Sequence, residues 1–257
     1  MHRLLTAEVG VGPQALARAQ RAQTARILLE TTGLRITEVA MAAGFSSVRQ
    51  FNDTMAAVFD RTPTALREAA ASPADQAAGT FTVRLSVREP FDGPALLRFF
   101  GARAVVGVEE VDSGTYRRSL RLPHGAGAVG LTPHSGHVEA QFRLEDIRDL
   151  ATAIHRCRRL LDLDADPLAV TDLLTGEPLM ASLVTARPGL RVPGAADPEE
   201  LLLCTVLRQV LPGAGGLTAA AALTRRFGDL LPSPSGAVTH LFPRARTLAE
   251  APLADLC

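Results

Sequence analysis

Lysine is absent from the chain, so all 27 basic residues are arginine, and a lysine Schiff-base nucleophile is excluded within these 257 residues. Tryptophan is absent too, and aromatics make up only 4% of residues, which leaves few platforms for stacking bare bases. The three cysteines, Cys157, Cys204 and Cys257, are far apart and form no CxxC pair. A disulfide framework and a thiolate zinc site are therefore not expected, and a reducing cytoplasm is. Formal net charge is zero, so no global field draws the chain to nucleic acid; contact with DNA must come from local clusters. There is no long uncharged apolar run and no leader-like segment, so neither a membrane partner nor export is expected. The six histidines include no pair at ligand spacing, and no metal or other cofactor is expected.

What is present begins with a run in the first quarter, Ile36 to Asp53. Val39, Ala40 and Ala43 have the spacing of a buried helical stripe. Gly44 follows where a helix must stop, and glycine takes the left-handed conformation without a Cβ clash. Phe45 is expected in the core. Ser46 or Ser47 can cap the next helix by accepting a backbone N–H. Val48, Phe51 and Met55 would bury the inner face of that helix. Ser47, Arg49, Gln50, Asn52 and Asp53 would then form an outer polar surface, where arginine reads guanine and an amide reads adenine in the major groove. Geometry alone favours an ordinary helical hairpin, since many bundles match this pattern.

The flanks narrow this choice. Phe59, Pro63, Leu66 and Arg67 follow at the spacing of the AraC-type regulators. Gly10, Pro13, Leu16, Arg21, Ala25 and Leu28 resemble that family's linker helix. Residues 1–70 resemble the later part of an AraC-type DNA-binding domain, and Met1 to Leu5 the tail of its first helix-turn-helix unit. The resemblance implies a second helix placed in the major groove, with affinity that falls steeply with salt.

Residues 71–79 are small and polar and read as a linker. The period then changes. Phe81, Val83, Leu85 and Val87 alternate with polar residues, and so do Val138, Ala140, Phe142 and Leu144. Strands are also expected at 105–111 and 116–122, and a short helix at 94–102. Ile147, Leu150, Ala151, Ile154, Cys157 and Leu161 trace one helical face. An antiparallel sheet with helices on one side follows for residues 80–162, an α+β domain. From about Asp164 no strand signal is seen, and helices are expected at 167–175, 198–210, 213–228 and 245–255.

Several runs, in order, are similar to the AlkA type of DNA-3-methyladenine glycosylase. They are Arg88-Glu89-Pro90-Phe91-Asp92, Tyr116-Arg117-Arg118-Ser119-Leu120, Arg158-Arg159-Leu160-Leu161-Asp162-Leu163 and Arg187-Pro188-Gly189-Leu190-Arg191-Val192-Pro193-Gly194. With the AraC-like module ahead, the whole resembles the Ada–AlkA alkylation-response fusions. The resemblance implies a TATA-binding-protein-like α+β domain and, over 163–257, the first part of an all-helical helix-hairpin-helix glycosylase domain. It also implies an apolar wedge at Gln209, Val210 and Leu211 to fill the gap left by a flipped base. An aromatic at Phe99 would face the cationic alkylated base. Burial at a helix end, and plain core packing, are the competing accounts of Val210 and Phe99.

No Pro-Gly-Ile-Gly-like hairpin with an Asp beyond it occurs in the sequence, and Pro212 to Gly216 reads as a loop. No catalytic residue is therefore assigned. His155-Arg156-Cys157-Arg158 does not match a methyl-acceptor motif, and Cys157 falls on the apolar stripe. The expected function is DNA binding in the alkylation-damage response, with double-stranded DNA and RNA polymerase as partners. An active glycosylase and a purely regulatory protein are the alternatives.

Overall fold

A computed structural model of the chain describes residues 12–69, 80–211 and 213–252. Expectations placed on residues 1–11, on the linker at 71–79, on Pro212, on Cys257 and on the side chain of Leu16 lie outside the described residues.

The first region is helical. α1 (Pro13–Thr31) starts at a proline, whose missing N–H costs nothing in a first turn. It buries Ala22, Ala25, Leu28 and Leu29. α2 (Ile36–Ala42) is held at its start by the Arg35 N–H donating to Glu38 Oε2 at 2.7 Å. Gly44 then turns the chain at φ 82°. α3 (Val48–Phe59) and α4 (Pro63–Glu68) follow, capped by the Ser47 and Thr62 hydroxyls. Phe45, Phe51, Met55 and Leu66 close this core, with the Phe45 and Phe51 rings edge-on at 5.3 Å. The expected inner stripe of Val39, Ala40 and Ala43 is buried as the spacing implies.

The second region is a five-stranded antiparallel sheet of order β1-β5-β4-β3-β2. Its strands are β1 (Thr80–Ser86), β2 (Glu109–Asp112), β3 (Thr115–Arg121), β4 (Ala126–His134) and β5 (His137–Leu144). Val83 pairs with Ala140 and Leu85 with Val138, so the alternating apolar residues of β1 and β5 share one buried face. α5 (Gly93–Gly101) and α6 (Leu150–Leu160) cover it through Leu96, Phe100, Ile154 and Cys157. α1 lies against β1, and α2 against the 3₁₀ turn Ile147–Asp149, so the cores of the two regions are continuous.

Two expectations need correction. The strand foreseen at 105–111 begins only at Glu109. Val105 to Val108 form a turn in which the Val108 and Glu109 N–H groups both donate to the Val105 carbonyl. The Gly107 carbonyl is thereby freed to accept from Thr239 and His240.

Those two residues mark the second correction, because the chain after Asp164 is not purely helical. α7 (Pro167–Thr175), α8 (Pro178–Ala186), α9 (Pro198–Val210) and α10 (Gly215–Phe227) are followed by β6 (Leu230–Ser235) and β7 (Val238–His240), then α11 (Ala245–Glu250). The β6–β7 hairpin returns to β4 and β3 and buries Leu231, Val238 and Leu241 against Ala128. Arg121 fastens it by pairing with Asp229 at 2.8 Å and donating to the Phe242 carbonyl at 3.0 Å.

Candidate nucleic-acid interface

The surface of α3 follows from how its first turn is made. The Ser47 hydroxyl accepts the Gln50 N–H at 3.2 Å, which starts the helix where the serine pair allowed either residue. With Phe51 and Met55 fully buried behind, the 3.6-residue period forces Arg49, Gln50, Asn52 and Asp53 outward. Arg49 is extended into solvent with its side chain 93% exposed. Asp53 lies one turn on, with its carboxylate 4.0 Å from Arg49 Nε, a weak surface pair that DNA phosphates would readily exchange. Ser46 Oγ donates to Gln50 Oε1 at 3.0 Å and orients that amide. Asn52 is exposed.

The other sequence-derived residues lie on two different elements. Phe99 stands near the end of α5, 38% exposed, so it is neither a core ring nor a free one. Its edge meets Phe100 at 5.7 Å, and the Arg103 guanidinium stacks over its face at 3.9 Å. A cation already occupies the ring face that a cationic base would use, and Arg103 would have to move for such a base to bind. Gln209 and Val210 end α9, and both are exposed; Leu211 is half-buried. At Val210 the exposure is 71%, which removes burial at a helix end as its explanation. α9 and α10 approach so closely that a Cβ on Gly216 would lie 2.7 Å from the Arg208 Cα.

What holds α9 in place was not visible in the sequence. Arg118 of β3 is buried and donates from one nitrogen to both Glu200 oxygens on α9, each at 2.8 Å. It also donates to Glu109 at 3.1 Å, and the Tyr116 hydroxyl donates to the same carboxylate. Burial disfavours the Arg118 charge, yet Glu200, Tyr116 and Glu109 outweigh it and hold its pKa well above the ordinary range. Burial pushes the Glu200 carboxyl up, against the pull of Arg118. The partners are 82 residues apart, so no local pattern could have signalled the pair.

The run Arg187 to Gly194 forms a strap across neighbouring segments. Arg191 is buried and donates to the carbonyls of Ala165 and Pro90 at 3.2 and 3.3 Å, and to that of Arg88. The Gly189 carbonyl accepts from Asp92, and the Gly194 N–H donates to Leu160. Cys157 sits in the sheet–helix core, where burial pushes its thiol up to about 12. The thiolate needed for nucleophilic work is absent at neutral pH. The Cys204 thiol is likewise raised to about 12 by burial.

Residues 1–69 match the model of a helix-turn-helix domain, and residues 82–197 that of the AlkA N-terminal domain, a match that includes the strap. The probable bifunctional transcriptional activator/DNA repair enzyme AlkA of Mycobacterium tuberculosis is 49% identical over 253 residues, 97% of this chain and 51% of that protein. DNA-3-methyladenine glycosylase 2 of Escherichia coli is 32% identical over 151 residues, covering 57% of this chain and 51% of its own length. The chain thus spans about half the length of the curated relatives it matches. Two solved structures share the fold. One is a 3-methyladenine DNA-glycosylase from Archaeoglobus fulgidus, with TM-score 0.58 at 20% identity over 67% of this chain and 60% of that one. The other is the apo 8-oxoguanine glycosylase/lyase of Clostridium acetobutylicum, with TM-score 0.51 at 17% identity over 71% of this chain and 58% of that one. No helix among the described residues is long and apolar enough to cross a membrane.

Proposed function

The chain joins an AraC-type helix-turn-helix region to an AlkA-like glycosylase region, and from that premise we propose that it binds double-stranded DNA through α3. The observation that carries this is the outer face of α3. Arg49, Gln50, Asn52 and Asp53 project from a helix whose inner face is anchored by the buried Phe51 and Met55. Arg49 has the reach and donor geometry to read guanine, and the Gln50 and Asn52 amides suit adenine. With zero net charge behind it, this face depends on local contacts, so binding weakens steeply with salt. A titration of duplex DNA tests it. Arg49→Ala is expected to weaken binding by about 1–3 kcal/mol and relax preference at one base pair. Equal affinity for the two proteins would remove α3 from the interface.

A second activity is favoured by Val210, an apolar side chain left in solvent where α9 turns toward α10. Gln209, Val210 and Leu211 form a wedge that enters the duplex beside an extrahelical base, with Phe99 as a ring for that base once Arg103 swings aside. These residues bind and hold; no bond-breaking step is assigned to them. Val210→Ala is expected to reduce preference for a duplex with an abasic site over an intact one. The M. tuberculosis relative is named as both activator and repair enzyme, and the same pairing of roles is the working assignment here, in the cytoplasm and with RNA polymerase as the partner of the activator role.

A further inference from the structure

Between the helix-turn-helix and the sheet domain lies an open cleft of about 1300 Å³. Its walls come from α1, the end of α3 and α6, with Ile27, Val58, Phe59 and Ile154 supplying apolar surface. Two of its arginines are already paired, Arg26 with Glu30 at 2.6 Å and Arg158 with Asp164. Arg21 is different. It has no carboxylate partner among the described residues, and its Nε is buried with no hydrogen-bond acceptor. Its guanidinium lies 5.6 Å from the Phe45 ring, and its Cδ packs on the Gly44 turn. Arg21 is thus the one arginine lining the cleft that has no carboxylate partner among the described residues. His155 adds a further exposed donor on the opposite wall.

We propose that this cleft binds a small organic anion, one with an apolar body and a single carboxylate- or phosphate-type head seated on Arg21. The charge count supports a single negative group. Arg21, Arg26 and Arg158 face Glu30 and Asp164, which leaves one positive charge unmatched. Ile27, Val58, Phe59 and Ile154 offer apolar surface to the body of the ligand, and no second unpaired arginine among the described residues lines the cleft to receive a second anionic group. The site is independent of the DNA-reading assignment, because its lining does not include the outer face of α3.

Octanoate is the probe, with octanol as its uncharged counterpart, and binding is measured by titration calorimetry on the full chain. Octanoate is expected to bind and octanol to bind at least tenfold more weakly. Arg21→Gln is expected to weaken octanoate binding tenfold or more, as loss of a charge-assisted contact does. Because Arg21 also packs on the turn, Thr24→Glu serves as a second variant; it puts a negative charge on the same wall and is expected to weaken octanoate binding at least as much. Absence of octanoate binding at millimolar concentration would overturn the proposal. So would equal binding of octanoate and octanol, or octanoate binding unchanged in the folded variants.

Discussion

α3 and α8 are both short helices with apolar residues, and they use them in opposite ways. In α3 every large apolar residue of the inner face meets a partner, and Phe51 and Met55 are fully buried. In α8 no residue is buried; Leu179 is 87% exposed, and Leu173 of the neighbouring α7 is 78% exposed. The hairpin of α7 and α8 is tied to the rest by polar contacts at its base instead: Asp166 pairs with Arg88 at 3.5 Å, and Arg191 of the strap that follows donates to the Ala165 carbonyl. Composition alone does not tell which of two apolar helices is core. The partner surface decides, and the stability of each helix follows from that.

Mutation can break this contrast. Phe51→Ala should destabilise the helix-turn-helix by about 3–5 kcal/mol, because it leaves a cavity in a closed core. Leu179→Ala should change stability by no more than about 0.5 kcal/mol, since the side chain already faces water. Urea unfolding of both variants checks the pair; comparable losses would mean that α8 is covered in solution.

A second contrast sets the buried pair against an exposed one. Glu200→Ala removes one of the two carboxylates around Arg118 and should cost about 3 kcal/mol. Glu250→Ala removes the surface partner of Arg246 and should cost about 0.3 kcal/mol. Thermal unfolding of the two single variants measures the ratio.

The cysteines sharpen the comparison without changing stability. In a chain carrying Cys257→Ser, Cys157 and Cys204 should be unreactive toward a thiol reagent at neutral pH and should react in parallel with unfolding. Fast labelling of Cys157 in the native state would show that the sheet core opens locally.

The smallest effect is electrostatic. Hydrogen bonds from the Arg148 side chain and backbone lower the Asp146 carboxyl to about 2. A carboxylate depressed on folding adds stability above its unfolded pKa and loses it as pH falls through the folded value. Acid unfolding should therefore show a shallow decline between pH of about 4 and about 2, and Asp146→Asn should flatten it.

The helix-turn-helix was legible because its signals are local. Gly44 and Ser47 stop and start helices within four residues, and the Phe51 and Met55 spacing names the buried side. α7 and α9 were legible for a similar reason, as each begins with an Asp cap followed by a proline. α8 was missed because a helix without a buried face has no apolar stripe to find. β6 was missed because Leu230-Leu231-Pro232-Ser233-Pro234-Ser235 contains two prolines, tolerated only in a short edge strand, and its partners lie on β4 and β7. The candidate wedge at Val210 was legible as an apolar residue beside a loop, but its exposure depends on how α9 packs. That packing is set by Arg118 on another element. The Arg103 cation over Phe99 was four residues away and still unseen, because stacking depends on rotamers rather than spacing.

The return of the β6–β7 hairpin has a consequence for how the protein is made. Residues 231–242 cover β4 and β3, which are synthesised about a hundred residues earlier. Contacts of such long sequence separation form late, because a large loop must close before they contribute. During translation the α1–α4 bundle, whose contacts are local, can fold while the sheet still shows the face around Ala128 to solvent. That face is a place where a chaperone could hold the nascent chain until residue 242 has emerged, and any delay before then extends the time in which sheets pair wrongly.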